Sequence, residues 1–394
     1  MLGGRLMRGC CEVLISAPAL ATLRHHEPFP GLREIVQHLA RGFVVDDGAN
    51  RHRNVFARAL AARALAAFAV PSTLGLVFGI ETKMQQRVVV LAGHKNHVAA
   101  TATIAAARPG AAVARTLHDI AGGRHLSTLA FSEAGSRSHF WSPVSRARRN
   151  GAGVLLSAKK SWVTSAGHAQ SYVVSALAPT AKGPTESTLY LVPAEAPGIS
   201  VAGPWDGLGL RANASAPMTL EDCEVSPELQ LTDDGAGFQA MLEVVLPLFN
   251  LGATAVALGL CRAAVAGTVT HLKGARFEHL GQSLGESLPT LRAQLAAMQI
   301  DTDGLAARLD DVVDHLERPG ELTMLRVLEC KAAAGDTAID VTSAAMRTCG
   351  GAAFSKHLNI ERLFRDAHAG AVMAPTGDVL RELIARATLG MPLF

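Results

Sequence analysis

A marked excess of charge is the first thing this chain lacks. Its 394 residues carry 37 Lys plus Arg against 34 Asp plus Glu, a formal net charge of +3. That excess is too small to argue for nucleic acid or a membrane surface as a partner. The local cluster Arg146, Arg148 and Arg149 reads as a solvated loop. Cysteine is also sparse. The six residues Cys10, Cys11, Cys223, Cys261, Cys330 and Cys349 have no zinc-ligand spacing, and the chain is too large for a disulfide scaffold. Reduced, mostly buried thiols in a cytoplasmic protein are expected, with no metal site. No uninterrupted apolar run of transmembrane length occurs. There is no GxGxxG and no Walker loop, so any nucleotide is held some other way. The absence of βαβ alternation excludes a doubly wound sheet.

What is present is an apolar globular chain, 49% hydrophobic and 18% charged, long enough for two or three units around a large core. The pattern divides it into three. Residues 1–125 are alanine-rich and helical in spacing, as in PGLREIVQHLARGF (30–43), ARALAARALAAFA (58–70) and HVAATATIAAA (97–107). Arg5 and Arg8 before an apolar run resemble a leader, but Glu12 and Pro18 break it, and a first amphipathic helix is expected. Residues 126–233 hold short β-rich runs separated by Gly, Pro, Ser and Asn, the spacing of an antiparallel barrel or sandwich. Residues 234–394 return to long helices. The run GFQAMLEVVLPLFNLGATAVALGLCRAAVAGTVTHL predicts a central helix buried on several faces, with Pro247 at its first turn or at a kink.

The stretch from Leu126 to Val174 carries the densest signal. LSTLAFSEAGSRSHF and GVLLSAKKSWVTSAGHAQSYVV are β-like runs that end in small polar turns. Trp162 offers a wall for a flat ring, and Ser132, Ser138 and Thr164 offer short donors. A β-hairpin with a core tryptophan is the competing reading. Trp162 and Thr164 are two residues apart, which in a strand places them on one side.

Four motifs together resemble the acyl-CoA dehydrogenase superfamily of flavoproteins. LAFSEAGSRSH resembles the family's first flavin loop, with Leu129, Phe131 and Ser132 at the pyrimidine edge and Ser138 near the cofactor phosphates. GVLLSAKKSWVTSAGHA resembles the second loop, with Trp162 and Val163 against the isoalloxazine and Thr164 donating toward flavin N5. LKGARFEHLGQ resembles the segment whose arginine, here Arg276, reaches the pyrophosphate of a neighbouring subunit's FAD. RTCGGAAF…ERLFRDA resembles the loop in which Gly350 and Gly351 admit the adenine side of a partner's FAD. The resemblance implies an α+β fold: an N-terminal helical domain, a central antiparallel β-barrel and a C-terminal four-helix bundle. It also implies FAD and a homodimer or homotetramer.

The chain departs from that family at the site of proton abstraction, which needs a positioned base. Counting along RDAHAGAVMAPTG puts Ala374 where the family has its glutamate. Counting back from Arg276 puts Asn250, between Phe249 and Leu251, at the alternative position on the long helix. In the first loop Arg137 replaces a glycine, and His139-Phe140-Trp141 replaces an aspartate and small residues. Loss of both bases points to the branch that uses reduced flavin and O2. The expected enzyme is an oxygenase acting on a CoA thioester or another aromatic or cyclic small molecule, with a separate flavin reductase as a candidate partner. Its pocket would be lined by Phe140, Trp141, Phe249, Met373 and Ala374, with His139 and Asn250 at the chemistry. The alternatives are a dehydrogenase or desaturase with a displaced base, drawn from Asp378, Glu382, Glu243, His139 and His368, or a degenerate partner subunit without chemistry.

Overall fold

The computed structural model describes residues 85–211 and 213–394, with side chains from Lys95 onward. The helices expected at 30–43 and 58–70, the N-terminal apolar run, Cys10 and Cys11 lie outside the described residues. Helix α1 (Gln85–Ala105) and helix α2 (Ala111–Ala121) precede the strands. Pro109 separates them, since proline has no N–H to continue a helix. Gly122 closes α2, its N–H donating to the carbonyl of His118.

Seven strands follow: β1 (Ser127–Ala130), β2 (Arg148–Asn150), β3 (Gly153–Val163), β4 (Ser171–Leu177), β5 (Ser187–Pro193), β6 (Ile199–Val201) and β7 (Ala216–Val225). They do not close into one antiparallel barrel. They form two sheets, ordered β1-β4-β5 and β2-β3-β7-β6, and β1 pairs in parallel with β4. Burial explains the difference. Tyr172, Val174, Tyr190 and Val192 of β4 and β5 pack into the apolar layer shared with Leu156, Met218 and Leu220 of the other sheet. Val173, Leu189 and Leu191 on their reverse face pack with helical residues. The middle sheet is thus covered on both faces, and only β3 and β7 keep the alternation of a half-solvated sheet. Arg148 and Arg149 sit on β2 rather than in a loop, paired with Asp222 and Asp234.

A short helical turn (Gly237–Ala240) runs through a π segment (Met241–Val245) into helix α3 (Leu246–Gly274), with Pro247 in its first turn. Then come α4 (Pro289–Glu317), α5 (Thr323–Cys349), α6 (Ile360–Val372) and α7 (Gly377–Thr388). Helix α4 runs unbroken through Gly304. One core cluster joins α3, α4, α5 and α6 through residues such as Leu258, Leu309, Val341 and Leu363. The segment Gly237–Gly274 is long and apolar enough to cross a bilayer by length and composition, but 89% of its most apolar window is buried inside the protein. Its apolarity serves the bundle core. Cys223, Cys261, Cys330 and Cys349 are buried free thiols.

Candidate active site

The first loop is fixed from beneath by a buried ion pair. Lys160 of β3 donates through Nζ to Glu133 Oε1 at 2.6 Å and to the carbonyl of Ser175 at 2.6 Å. Glu133 also accepts from the backbone of Val144 and Ser145, each at 2.8 Å, and from the Ser145 hydroxyl. Burial pushes Glu133 up, but the Lys160 charge and these hydrogen bonds bring it net below the usual carboxylate range. Glu133 and Lys160 were not among the expected site residues, because the loop and the strand that pair them are distant in sequence. Above this staple, Ser132 is half-buried and its carbonyl accepts from Ser161 at 2.8 Å. Arg137 adopts φ 50°, a left-handed conformation suited to the glycine expected there.

Ser138 reaches the start of α7. Its hydroxyl accepts from Thr376 N–H at 2.7 Å and donates to Thr376 Oγ1 at 3.1 Å. Two hydroxyls therefore meet where α7 begins, beside the Met373–Ala374 turn. His139 is exposed and lies edge-on to Trp141. Phe131, Phe140 and Trp141 are 5%, 6% and 4% exposed and pack together in the core. Phe140 and Trp141 are thus core aromatics rather than pocket lining, because the apolar layer over β5 absorbs them. The side chains of Phe131 and Val163 are buried and that of Leu129 is half-buried, so these residues face the core.

The second loop also differs from a regular strand. The β3–β7 register shifts between Lys160 and Val163, and Trp162 has φ 45°. That bulge turns the two side chains apart: Trp162 is 61% exposed and Thr164 is 8% exposed. They do not share a face. Trp162 stands edge-on to Trp205 at 5.3 Å. Thr164 Oγ1 lies 3.3 Å from the Ser215 hydroxyl and 3.4 Å from Asn213 Nδ2, while Asn213 Oδ1 is buried without a partner. Helix α6 holds the Trp205 loop. Asp366 accepts from Leu210 N–H at 2.8 Å, Arg365 donates to the Leu208 carbonyl at 3.1 Å, and Trp205 Nε1 donates to the Leu210 carbonyl at 3.1 Å. Gly209 is required by contact there: a Cβ would meet the Arg365 carbonyl oxygen at 2.4 Å.

Around the turn after α6 the structure places two lysines that the sequence did not single out. Lys95 of α1 is 2% exposed, donates to Met373 Sδ at 3.2 Å and lies 4.2 Å from the centre of the Phe249 ring. Lys331 of α5 is 3% exposed and donates to the carbonyls of Met373 and Pro375 at 3.1 and 2.6 Å. Burial, then repulsion from Lys331, pushes Lys95 down to about 7. Burial pushes Lys331 down to about 8. Asn250 is 1% exposed, and both atoms of its amide are unpaired. Phe249, Met373 and Ala374 are half-buried around this cluster. The Asp378 side chain is fully exposed on α7 and pairs with Arg381 at 3.5 Å. Glu382 and Glu243 are exposed as well. His368 is half-buried, its Nδ1 at 2.7 Å from the Phe364 carbonyl. Lys95 carries little sequence signal, because a lysine in an alanine-rich helix reads as surface.

Arg276 lies on a two-residue strand after α3 and donates to the Gly281 carbonyl at 3.1 Å. It lines an open cleft of ≈ 410 Å³ with Lys273, Arg292, Glu286 and Leu295. Gly350 caps α5 with φ 57° and ψ −140°, and both Gly350 and Gly351 face open space. Family models for the acyl-CoA dehydrogenase middle domain and C-terminal domain match residues 128–223 and 235–389. The chain belongs to the acyl-CoA dehydrogenase superfamily. The probable acyl-CoA dehydrogenase YngJ of Bacillus subtilis is 26% identical over 274 residues, covering 69% of this chain and 71% of that one. The mitochondrial short-chain specific acyl-CoA dehydrogenase of Bos taurus is 27% identical over 272 residues, covering 67% of this chain and 63% of that one. The solved prolyl acyl carrier protein oxidase AnaB has the same fold, with a TM-score of 0.72 at 18% identity over 92% of this chain and 98% of that one.

FAD is the cofactor of this superfamily. The chain's own groups fit it: an exposed indole, a buried hydroxyl–amide trio with an orphaned oxygen, paired hydroxyls at α7, a cationic cleft and an open glycine turn.

Proposed function

We propose that this chain is an FAD-dependent oxygenase that works with O2 on an acyl thioester or another aromatic or cyclic small molecule. It acts as a homodimer or homotetramer, with reduced flavin supplied by a separate reductase. The observation that carries this reading is the wall formed by α1, α3 and the 373–375 turn. It presents lysine, thioether and phenyl groups and no free carboxylate among the described residues. Glu133 and Asp366, the buried carboxylates of the region, are already bound to Lys160 and to Arg362 with Leu210. Asp378, Glu382 and Glu243 face solvent, so no displaced carboxylate base stands ready among the described residues.

In this reading Trp162 gives the isoalloxazine a wall and Thr164 donates toward its ring edge. Ser138 and Thr376 donate to the phosphates, and Arg276 reaches a neighbouring subunit's diphosphate. FAD, when bound, supplies the two-electron chemistry. The apolar residues around Phe249 and Met373 exclude water from the reacting face. The relatives' names, acyl-CoA dehydrogenases and an acyl carrier protein oxidase, support thioester-borne substrates.

The test begins with flavin-loaded protein under argon and a panel of acyl-CoA thioesters. No bleaching of the oxidised flavin band is expected. Photoreduction followed by 18O2 should then give a product carrying one labelled oxygen. Bleaching by a thioester under argon would establish dehydrogenation and remove the oxygenase reading.

A further inference from the structure

Lys95 is a buried cation without a charged or carbonyl partner among the described residues. Its ammonium is buried, and the groups against it are a thioether sulfur and the face of a phenyl ring. Both favour a cation, the ring through its quadrupole, but neither carries a charge. The other buried lysines are completed differently: Lys160 has Glu133, and Lys331 has two carbonyls. Gly252 on α3 lies directly against the stem of Lys95, where a Cβ would come within 2.8 Å of Lys95 Cβ. The helix surface is shaped to seat this lysine. Asn250, one residue from the ring beneath Nζ, adds an amide whose nitrogen and oxygen are both buried and unpaired. An unpaired buried charge and an unpaired buried amide are both disfavoured, and a bound polar ligand relieves such a cost. The ligand that completes a buried ammonium set among a thioether and a phenyl ring is an anion such as a carboxylate.

We propose that Lys95 is a carboxylate receptor, selecting a substrate whose acyl or ring portion carries a free carboxylate at the wall formed by α1, α3 and the 373–375 turn. This rests on the reading that this wall faces the substrate. Lys331 keeps the turn in place and adds a second positive charge behind the receptor. Among the described residues, the groups facing Lys95 Nζ are Phe249 from α3, Met373 from the turn and Lys331 from α5, of which Lys331 alone is titratable. The bound anion would hold Lys95 protonated, so binding should weaken as pH rises through the range where the free ammonium deprotonates.

The test is calorimetric titration of flavin-loaded protein with butyryl-CoA, glutaryl-CoA and free glutarate. Lys95→Met and Lys95→Arg variants are titrated alongside, each checked for an unchanged bound-flavin spectrum. Glutaryl-CoA should bind at least tenfold more tightly than butyryl-CoA. Lys95→Met should erase that difference and Lys95→Arg should keep most of it. Free glutarate, fully ionised across the range, should bind more weakly at pH 9 than at pH 6 by roughly tenfold. Equal binding of both thioesters, unaffected by Lys95→Met, would overturn the receptor and leave thioester recognition intact. Lys95-dependent binding of glutarate without binding of either thioester would keep the receptor and remove the thioester reading. No binding of glutarate or glutaryl-CoA to the wild type would overturn the receptor outright.

Discussion

Single residues carry the clearest departures from a generic family member. Arg137 holds φ 50°, a conformation that costs an L-residue about 1–2 kcal/mol and a glycine nothing. Glycine loses more chain entropy on folding, so Arg137→Gly should stabilise the protein by up to about 1 kcal/mol, read from urea unfolding. Two of the three buried lysines among the described residues, Lys95 and Lys331, make a prediction about pH. Both have folded-state values, about 7 and about 8, below the ordinary 10.5. The unfolded chain therefore binds more protons over the window from about 7 to 10.5, and stability rises with pH across it. Below that window both states are protonated and the burial penalty is felt in full. Lys95→Met should be more stable than wild type at pH 6, by an amount on the order of a few kcal/mol, and the advantage should shrink by pH 9. A constant difference at the two pH values would show that Lys95 does not titrate in the fold. Trp162, exposed and edge-on to Trp205, is predicted to contribute about 0.5–1.5 kcal/mol to flavin binding, so Trp162→Ala should weaken FAD roughly two- to tenfold by fluorescence titration.

At the level of elements, the staples between strands and helices decide where these residues point. The Glu133–Lys160 pair joins the first loop to β3 and β4 in a site with almost no solvent. Removing one partner strands the other charge, so Lys160→Met should cost about 3–5 kcal/mol in urea unfolding. Glu133 titrates below the usual range, so its share of stability is complete near neutrality and is lost as pH falls through its folded-state value. The approach of α3 to α1 depends on Gly252, where a methyl group would press on Lys95 Cβ near its backbone. Gly252→Ala should cost about 1–3 kcal/mol despite the better helix propensity of alanine, and a neutral or stabilising result would mean the helices separate freely. Helix α6 acts at a distance: its Asp366 and Arg365 hold the loop that places Trp205 beside Trp162.

Across the whole molecule, the groups proposed to hold the flavin are spread over the β unit, the turn before α7, the end of α5 and the strand after α3. A ligand that touches all of them stabilises the native state by mass action. Excess FAD should raise the melting temperature, and Arg276→Ala should reduce that gain if a neighbouring subunit's diphosphate reaches it. The sequence by itself determined a good deal. The apolar run of α3, the β-rich middle and the order of the four motifs specify the family, because burial periodicity and glycine-rich turns are local properties of the chain. It also marked Arg137 as a residue in a glycine's place. Tertiary structure alone decided the rest. The bulge at Trp162 turned it away from Thr164, because register depends on the partner strand β7. Phe140 and Trp141 became core because the layer over β5 had room for them. Lys95 and Lys331 met at Met373 because three helices and one turn, distant in sequence, pack there. A charge on an alanine-rich helix looks like surface until the neighbours that bury it are in place.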